Sequence, residues 1–185
     1  MGAGIAGLGF EKLVYGGLTK VFAGIVIAPI GGIIFGLLLT GLIITIFASR
    51  RPAIVNKTFG RLQIISSAWF ALTHGANDGQ KTMGIIVLIL FAAGMIPAIE
   101  MPLWVIFAAA TAMGLGTFFG GYKVIRTLGL KVTRLRPYQG FCAETGGGIM
   151  LAIFAIFGIP ASTTHAITGT IMGAGAARRK FAVRW

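Results

Sequence analysis

Acidic residues are almost absent from this sequence: four Asp and Glu stand against 16 Lys and Arg in 185 positions, for a formal charge of +12. Charged residues of both signs make up only 11% of the chain, well below the roughly 25% of an ordinary soluble domain. Cysteine is scarcer still, with Cys142 the single one, so a disulfide framework within the chain and a zinc site built on a cysteine pair are both excluded. An intramembrane aspartyl protease needs two aspartates, and Asp78 stands alone. No secretory signal is legible at the start: Met1 to Phe10 is small and glycine-rich without a basic region, and Glu11, Lys12 and Lys20 follow it. Targeting is expected to rest on internal spans.

What the chain does have is apolar surface. It is 56% hydrophobic with a mean hydropathy of +0.91 and contains 29 glycines, which predicts an all-α polytopic membrane protein. A charge of +12 taken alone would suit nucleic acid, but the bases have no soluble domain to carry them. They cluster between apolar runs instead: Arg50, Arg51, Lys57 and Arg61; Lys123, Arg126, Lys131, Arg134 and Arg136; Arg178, Arg179, Lys180 and Arg184. That is the pattern of cytoplasmic loops, with anionic lipid headgroups as neighbours and nucleic acid excluded as a partner.

In chain order, residues 1–20 read as a loop or surface segment, and the membrane repeat occupies 21–177. Val21 to Ala48 has no charge and would be about 42 Å long as one helix, more than a hydrocarbon core of about 30 Å, so it must tilt or bend, most naturally at Pro29, Gly31 and Gly32. A basic loop, Ser49 to Arg61, follows. Residues 62–98 are apolar except at their centre, where Gly75 and Gly79 bracket a polar cluster; this predicts backbone broken at 73–82, as an interrupted span or a hairpin. Spans are expected at 101–122 and 138–159, separated by the basic loop Lys123 to Arg136. Residues 160–177 are too short and polar for an ordinary span and predict a re-entrant half-helix, with 178–185 as a basic cytoplasmic tail.

The chemistry concentrates in the broken regions. Of the four acids, Asp78 and Glu144 fall inside apolar segments, and both histidines, His74 and His165, lie in the polar interruptions. An ionisable group at the bilayer centre costs about 2.5 to 3.5 kcal/mol, so each is a candidate functional residue, the alternative being hydrogen bonds that merely hold helices together. Lys81 belongs to the same polar stretch as a possible supporting group. Pro160-Ala161-Ser162-Thr163-Thr164-His165 reads as a helix start whose free N–H groups and three hydroxyls suit a phosphate-like oxyanion. A bare Asp78 would repel that anion, so it must hold a cation or a proton, with the Asn77 side-chain oxygen and broken-helix carbonyls near Gly75 and Gly79 completing a sodium site. That is the logic of a symporter.

Enzyme motifs fail on spacing. G-A-N-D-G-Q-K-T at 75–82 lacks the P-loop pattern and its upstream strand, and Ser162, His165 and Asp78 lack a nucleophile elbow. No catalytic role or cofactor is expected beyond the coupling ion.

H-G-A-N-D at 74–78 and P-A-S-T-T-H at 160–165, with G-F-C-A-E-T at 140–145 between them, closely resemble the C-terminal half of inorganic phosphate transporters of the PiT family, and the flanking stretches look like its bacterial branch. The resemblance covers nearly the whole chain. It implies one half of an inverted-repeat transporter for cation-coupled phosphate symport, driven by sodium or protons, in a bacterial cytoplasmic membrane. By the same resemblance Asn77, Asp78, Ser162, Thr163 and Thr164 would contact phosphate and coupling cations, and Glu144 would serve the coupling. A second repeat or a homo-oligomer is the implied partner. A sulfate or other oxyanion permease of the same fold, and a non-transporting half-protein, are the alternatives.

Overall fold

A computed structural model of the chain describes residues 15–127 and 135–177. The first fourteen residues of the expected surface segment and the basic tail 178–185 lie outside the described residues. Among the described residues five helices follow one another: α1 (Tyr15–Ile46), α2 (Pro52–Ala92), α3 (Leu103–Thr127), α4 (Pro137–Ile156) and α5 (Thr163–Ala176). Among the described residues there is no strand. α1, α4 and the Leu103–Gly121 part of α3 are long and apolar enough to cross a membrane, and a helix satisfies its backbone groups internally, as a hydrocarbon surrounding demands.

Cross-helix contacts set the directions. α2 and α4 run alongside each other in the same sense: Gln63 packs on Gly140, Ser66 Oγ donates to Glu144 Oε2 at 2.6 Å, and Asn77 Nδ2 reaches the Leu151 carbonyl at 3.4 Å. α5 turns back, so that Gln139 Nε2 at the start of α4 donates to Ala174 O near the end of α5 at 2.8 Å. α4 and α5 are thus two arms of one hairpin that enters and leaves at the end of the bundle where α1 stops and α2 starts. Its tip is a glycine turn. Ile159 N–H bonds to Phe154 O at 2.9 Å and Gly158 N–H to Ala155 O at 3.2 Å, with Gly158 at φ +60°; this left-handed cap ends α4, and Pro160 keeps the helix from resuming at once.

The break expected at 73–82 is absent. α2 continues without interruption from Pro52 to Ala92, through Gly75 and Gly79, although each glycine costs about 1 kcal/mol relative to alanine. The polar side chains support the helix because their spacing is helical: Asn77 Nδ2 bonds to Thr73 O at 2.9 Å, and Asp78 pairs with His74 four residues earlier and Lys81 three later, each at 3.0 Å. Residues 62–98 therefore form neither an interrupted span nor a hairpin; the real discontinuity is the tip at 157–162. α2 is about 61 Å long at 1.5 Å per residue, far beyond a hydrocarbon thickness, so it must tilt or protrude. The loop expected from Ser49 to Arg61 also shortens, since Pro52 opens the helix and Asn56, Lys57 and Arg61 lie within it. At its far end, Gly94 at φ +70° terminates α2 before residue 98.

α1 runs on through Pro29, and its glycines make contact rather than a hinge. Gly24, Ala28, Gly32, Gly36 and Thr40, four residues apart, are buried, chiefly along α5. A Cβ on Gly32 would lie 2.6 Å from the Ala166 carbonyl oxygen, and a Cβ on Gly36 or Gly173 would overlap the carbonyl of Thr170 or Ile33. Such small-residue stripes allow the backbone proximity that drives helix association in lipid. The Gly146 to Gly148 run works similarly on α4: the first faces Phe35 and Leu39 of α1, the second Phe70 of α2, the third the Trp69 indole. Met150, Leu151 and Phe154 then pack with Ala28, Ala161 and Ala166 as the core beneath the tip.

Candidate functional site

Asp78 sits midway along α2 where the hairpin tip meets it. Its Oδ2 accepts a 3.0 Å hydrogen bond from Thr163 Oγ1, the first residue of α5, and lies 3.0 Å from His74 Nε2. Its Oδ1 lies 3.0 Å from Lys81 Nζ, which also donates to the Ala161 carbonyl at 2.8 Å. The two polar motifs, far apart in sequence, thus converge on one carboxylate, and Lys81 ties that carboxylate to the tip.

Each partner owes its place to a local rule. His74, Asp78 and Lys81 share one face of α2 by their i,i+4 and i,i+3 spacing. Ser162 caps α5, its Oγ accepting from His165 N–H at 3.3 Å, and this extended N-cap aims Thr163 at α2. Thr163 and Thr164 then keep N–H groups that no described residue accepts, so the positive end of the α5 dipole opens next to Asp78. The Asp78 side chain is 34% exposed and those of His74 and Lys81 44%, so the pairs are worth under about 1 kcal/mol each; their importance is positional.

Asn77 is buried, its amide nitrogen shared between Thr73 O and Leu151 O. The carbonyls near Gly75 and Gly79, expected as sodium ligands, are engaged within the unbroken α2. At the junction the Ala161 carbonyl, before the start of α5, accepts from the Lys81 ammonium. Among the described residues no cluster of three His, Cys, Asp or Glu could hold a metal; hard oxygen donors from Asp78, Asn77, Thr163 and the tip are what a sodium ion would use. Thr164 and His165 are exposed, and neither side chain reaches Asp78.

Glu144 is not part of this junction. It accepts hydrogen bonds from Ser66 Oγ at 2.6 Å and Gln63 Nε2 at 3.4 Å, and Ser66 stands about 18 Å from Asp78 along α2 at 1.5 Å per residue. Gln63 and Ser66 are hydrogen-bond partners of Glu144 that sequence reasoning missed, though a polar pair three residues apart in an apolar run was the signal. A cavity of about 260 Å³ opens on the other side of Asp78, between α2 (Ala71, His74, Gly75, Asp78) and α3 (Met113, Gly114, Thr117). Asp78 therefore faces the hairpin tip on one side and open space on the other. The α3 residues carry no charge, and only their packing against α2 reveals them.

Fold and junction together define an integral membrane protein in which a helical hairpin meets a carboxylate on a long helix. Residues 45–185 match the model of the Phosphate transporter family. Relatives named "Probable low-affinity inorganic phosphate transporter" from Rhizobium meliloti (strain 1021) and Bacillus subtilis (strain 168) are 47% and 41% identical over the whole chain, which covers 56% of each. A solved structure titled "The sodium-dependent phosphate transporter" matches with a TM-score of 0.80 at 20% identity, covering all of this chain and 63% of that one. The chain belongs to the Phosphate transporter family. It spans about half the length of the curated relatives it matches, and those relatives are named as transporters rather than enzymes.

Proposed function

We propose that this chain supplies one repeat of a cation-coupled inorganic phosphate symporter, and that the Asp78–Thr163 junction is its substrate and coupling site. The observation that carries the reading is the single network in which a carboxylate, an ammonium and the start of a helix meet: Thr163 Oγ1 to Asp78 Oδ2, and Lys81 Nζ to both Asp78 Oδ1 and Ala161 O. Phosphate lies at the N-terminus of α5, taking the Thr163 and Thr164 N–H groups and the Ser162 and Thr164 hydroxyls, while the Thr163 hydroxyl stays on Asp78. Asp78, with Asn77, holds the coupling cation, sodium or a proton.

The charges explain the coupling. Asp78 beside a phosphate is repulsive unless a cation balances it. In this conformation Lys81 provides that balance and occupies the place between carboxylate and tip carbonyl that a coupling cation takes. Entry of the cation releases the ammonium toward the anion, so both substrates are needed together. Glu144, paired with Ser66 and Gln63, is a second proton or cation position nearer the basic end. His74 and His165 support the junction, His74 through Asp78 and His165 through the α5 cap. The site is completed by a second repeat, in a bacterial cytoplasmic membrane with the basic end inward.

The test is uptake of labelled phosphate by the complete transporter and by its Asp78→Asn variant, with sodium replaced by choline and, separately, with the proton gradient collapsed. Uptake should fall sharply in the variant and with removal of one of the two ions. Undiminished uptake in Asp78→Asn overturns the role of Asp78. Competition by sulfate equal to that of unlabelled phosphate would favour a general oxyanion permease, and uptake by this chain alone would remove the need for a second repeat.

A further inference from the structure

The end of the bundle opposite the hairpin tip carries a second cavity that the transport reading does not use. It measures about 180 Å³ and is lined by Ile43 and Ile44 at the end of α1, Phe47 and Arg50 just beyond it, Asn56 on α2, and Arg136 and Tyr138 at the start of α4. Two basic segments that are distant in sequence are thereby brought to one pocket. Among the described residues, neither Arg50 nor Arg136 has a carboxylate within ion-pair distance, since both ion pairs there belong to Asp78. Asn56 Oδ1 is buried and accepts no hydrogen bond from them. A buried acceptor without a donor costs roughly 1 to 3 kcal/mol, and the two arginines, both exposed, set a positive rim around the pocket that favours an anion.

The wall and the rim ask for different halves of one molecule. Ile43 and Ile44 belong to the last turn of a helix apolar enough to cross a membrane and Phe47 to the turn just after it, whereas the arginines stand where that apolar run gives way to charge. A free oxyanion would use the arginines and leave both the apolar wall and Asn56 unserved.

We propose that this pocket binds an anionic phospholipid whose headgroup also carries a hydroxyl, of the phosphatidylglycerol type. Arg50 and Arg136 hold its phosphodiester, the Asn56 side chain, which lines the pocket, turns its buried Oδ1 toward a headgroup hydroxyl that donates to it, and an acyl chain lies along Ile43, Ile44 and Phe47. The bound lipid clamps the end of α1 to the starts of α2 and α4, the root from which the hairpin arises, and so acts as a structural ligand far from Asp78.

The test uses the complete transporter in neutral detergent, with bound lipid counted by native mass spectrometry and thermal stability followed in parallel. Phosphatidylglycerol should bind and raise the melting temperature by several degrees, while phosphatidylcholine should do neither. Arg50→Gln with Arg136→Gln should weaken phosphatidylglycerol binding roughly 30-fold, as two lipid-facing arginines warrant. Lys57→Gln with Arg61→Gln removes the same charge outside the pocket and should leave binding within a few fold. Equal loss in both double variants would mean diffuse attraction and would overturn the site. An equal stabilisation by millimolar inorganic phosphate would assign the pocket to the free anion and overturn the lipid. If the double arginine variant does not fold, Asn56→Asp, which places a carboxylate against the phosphodiester, decides: retained lipid binding overturns the proposal and its loss supports it.

Discussion

Thr163 donates its hydroxyl to Asp78 across a sequence separation of 85 residues, at 3.0 Å. The bond fastens the first residue of a short helix to the middle of a long one. It also brings the positive end of α5 to the only aspartate in the chain.

Removing that hydroxyl while keeping the shape tests the fastening. A hydrogen bond to a charged group contributes about 1.5 to 3 kcal/mol, so Thr163→Val in the complete transporter should lower phosphate uptake by roughly tenfold or more. Thr164→Val, at an exposed position without a described contact to Asp78, should act only through direct anion contact and lower affinity less. Equal effects of the two would detach the Asp78 bond from function.

Lys81 is an internal rival of the coupling ion. With Lys81→Met, Asp78 loses its ammonium, and an external cation should bind it more tightly. The half-saturating cation concentration for uptake should fall, while phosphate affinity weakens. Uptake titrated with cation at fixed phosphate checks this, and an unchanged half-saturation would count against the rivalry.

The α1–α5 contact should tolerate no side chain. Gly36→Val places a methyl-bearing carbon on the Thr170 carbonyl, and overpacking of this kind costs about 1 to 3 kcal/mol or more. Gly41→Ala, on the same helix but with nothing within 4 Å of the added carbon, is the control. Melting in detergent should drop for the first and hold for the second.

Glu144 depends on two donors. Glu144→Gln sets an amide against the Gln63 amide nitrogen and the Ser66 hydroxyl, so one donor meets another. Stability should fall by about 1 kcal/mol. Ser66→Ala should cost a similar amount, and the double variant should cost less than the sum, because both act on one bond.

The sequence by itself determined the solvent and the helical class and singled out the few polar groups in apolar surroundings. A chain with so few charges must fold in lipid, and in lipid only helices or closed barrels satisfy the backbone. The rarity of acids and histidines made His74, Asp78, Glu144 and His165 conspicuous, and the proline followed by hydroxyl residues at 160–164 announced a capped helix start. Where the chain breaks was hidden in local spacing that the glycines obscured. Gly75 and Gly79 suggested an interruption, yet the i,i+3 and i,i+4 pairs around Asp78 keep α2 whole, and the turn formed instead at Gly158, whose φ of +60° suits a residue without a Cβ. Packing also separated groups that composition had pooled: Glu144 went to Ser66 and Gln63, while Asp78 went to Thr163 and Lys81. The reason is geometric. Periodicity along one helix is written in residue spacing, but which helices lie together, and at what register, depends on glycine stripes such as Gly32 and Gly36 meeting particular carbonyls on another helix.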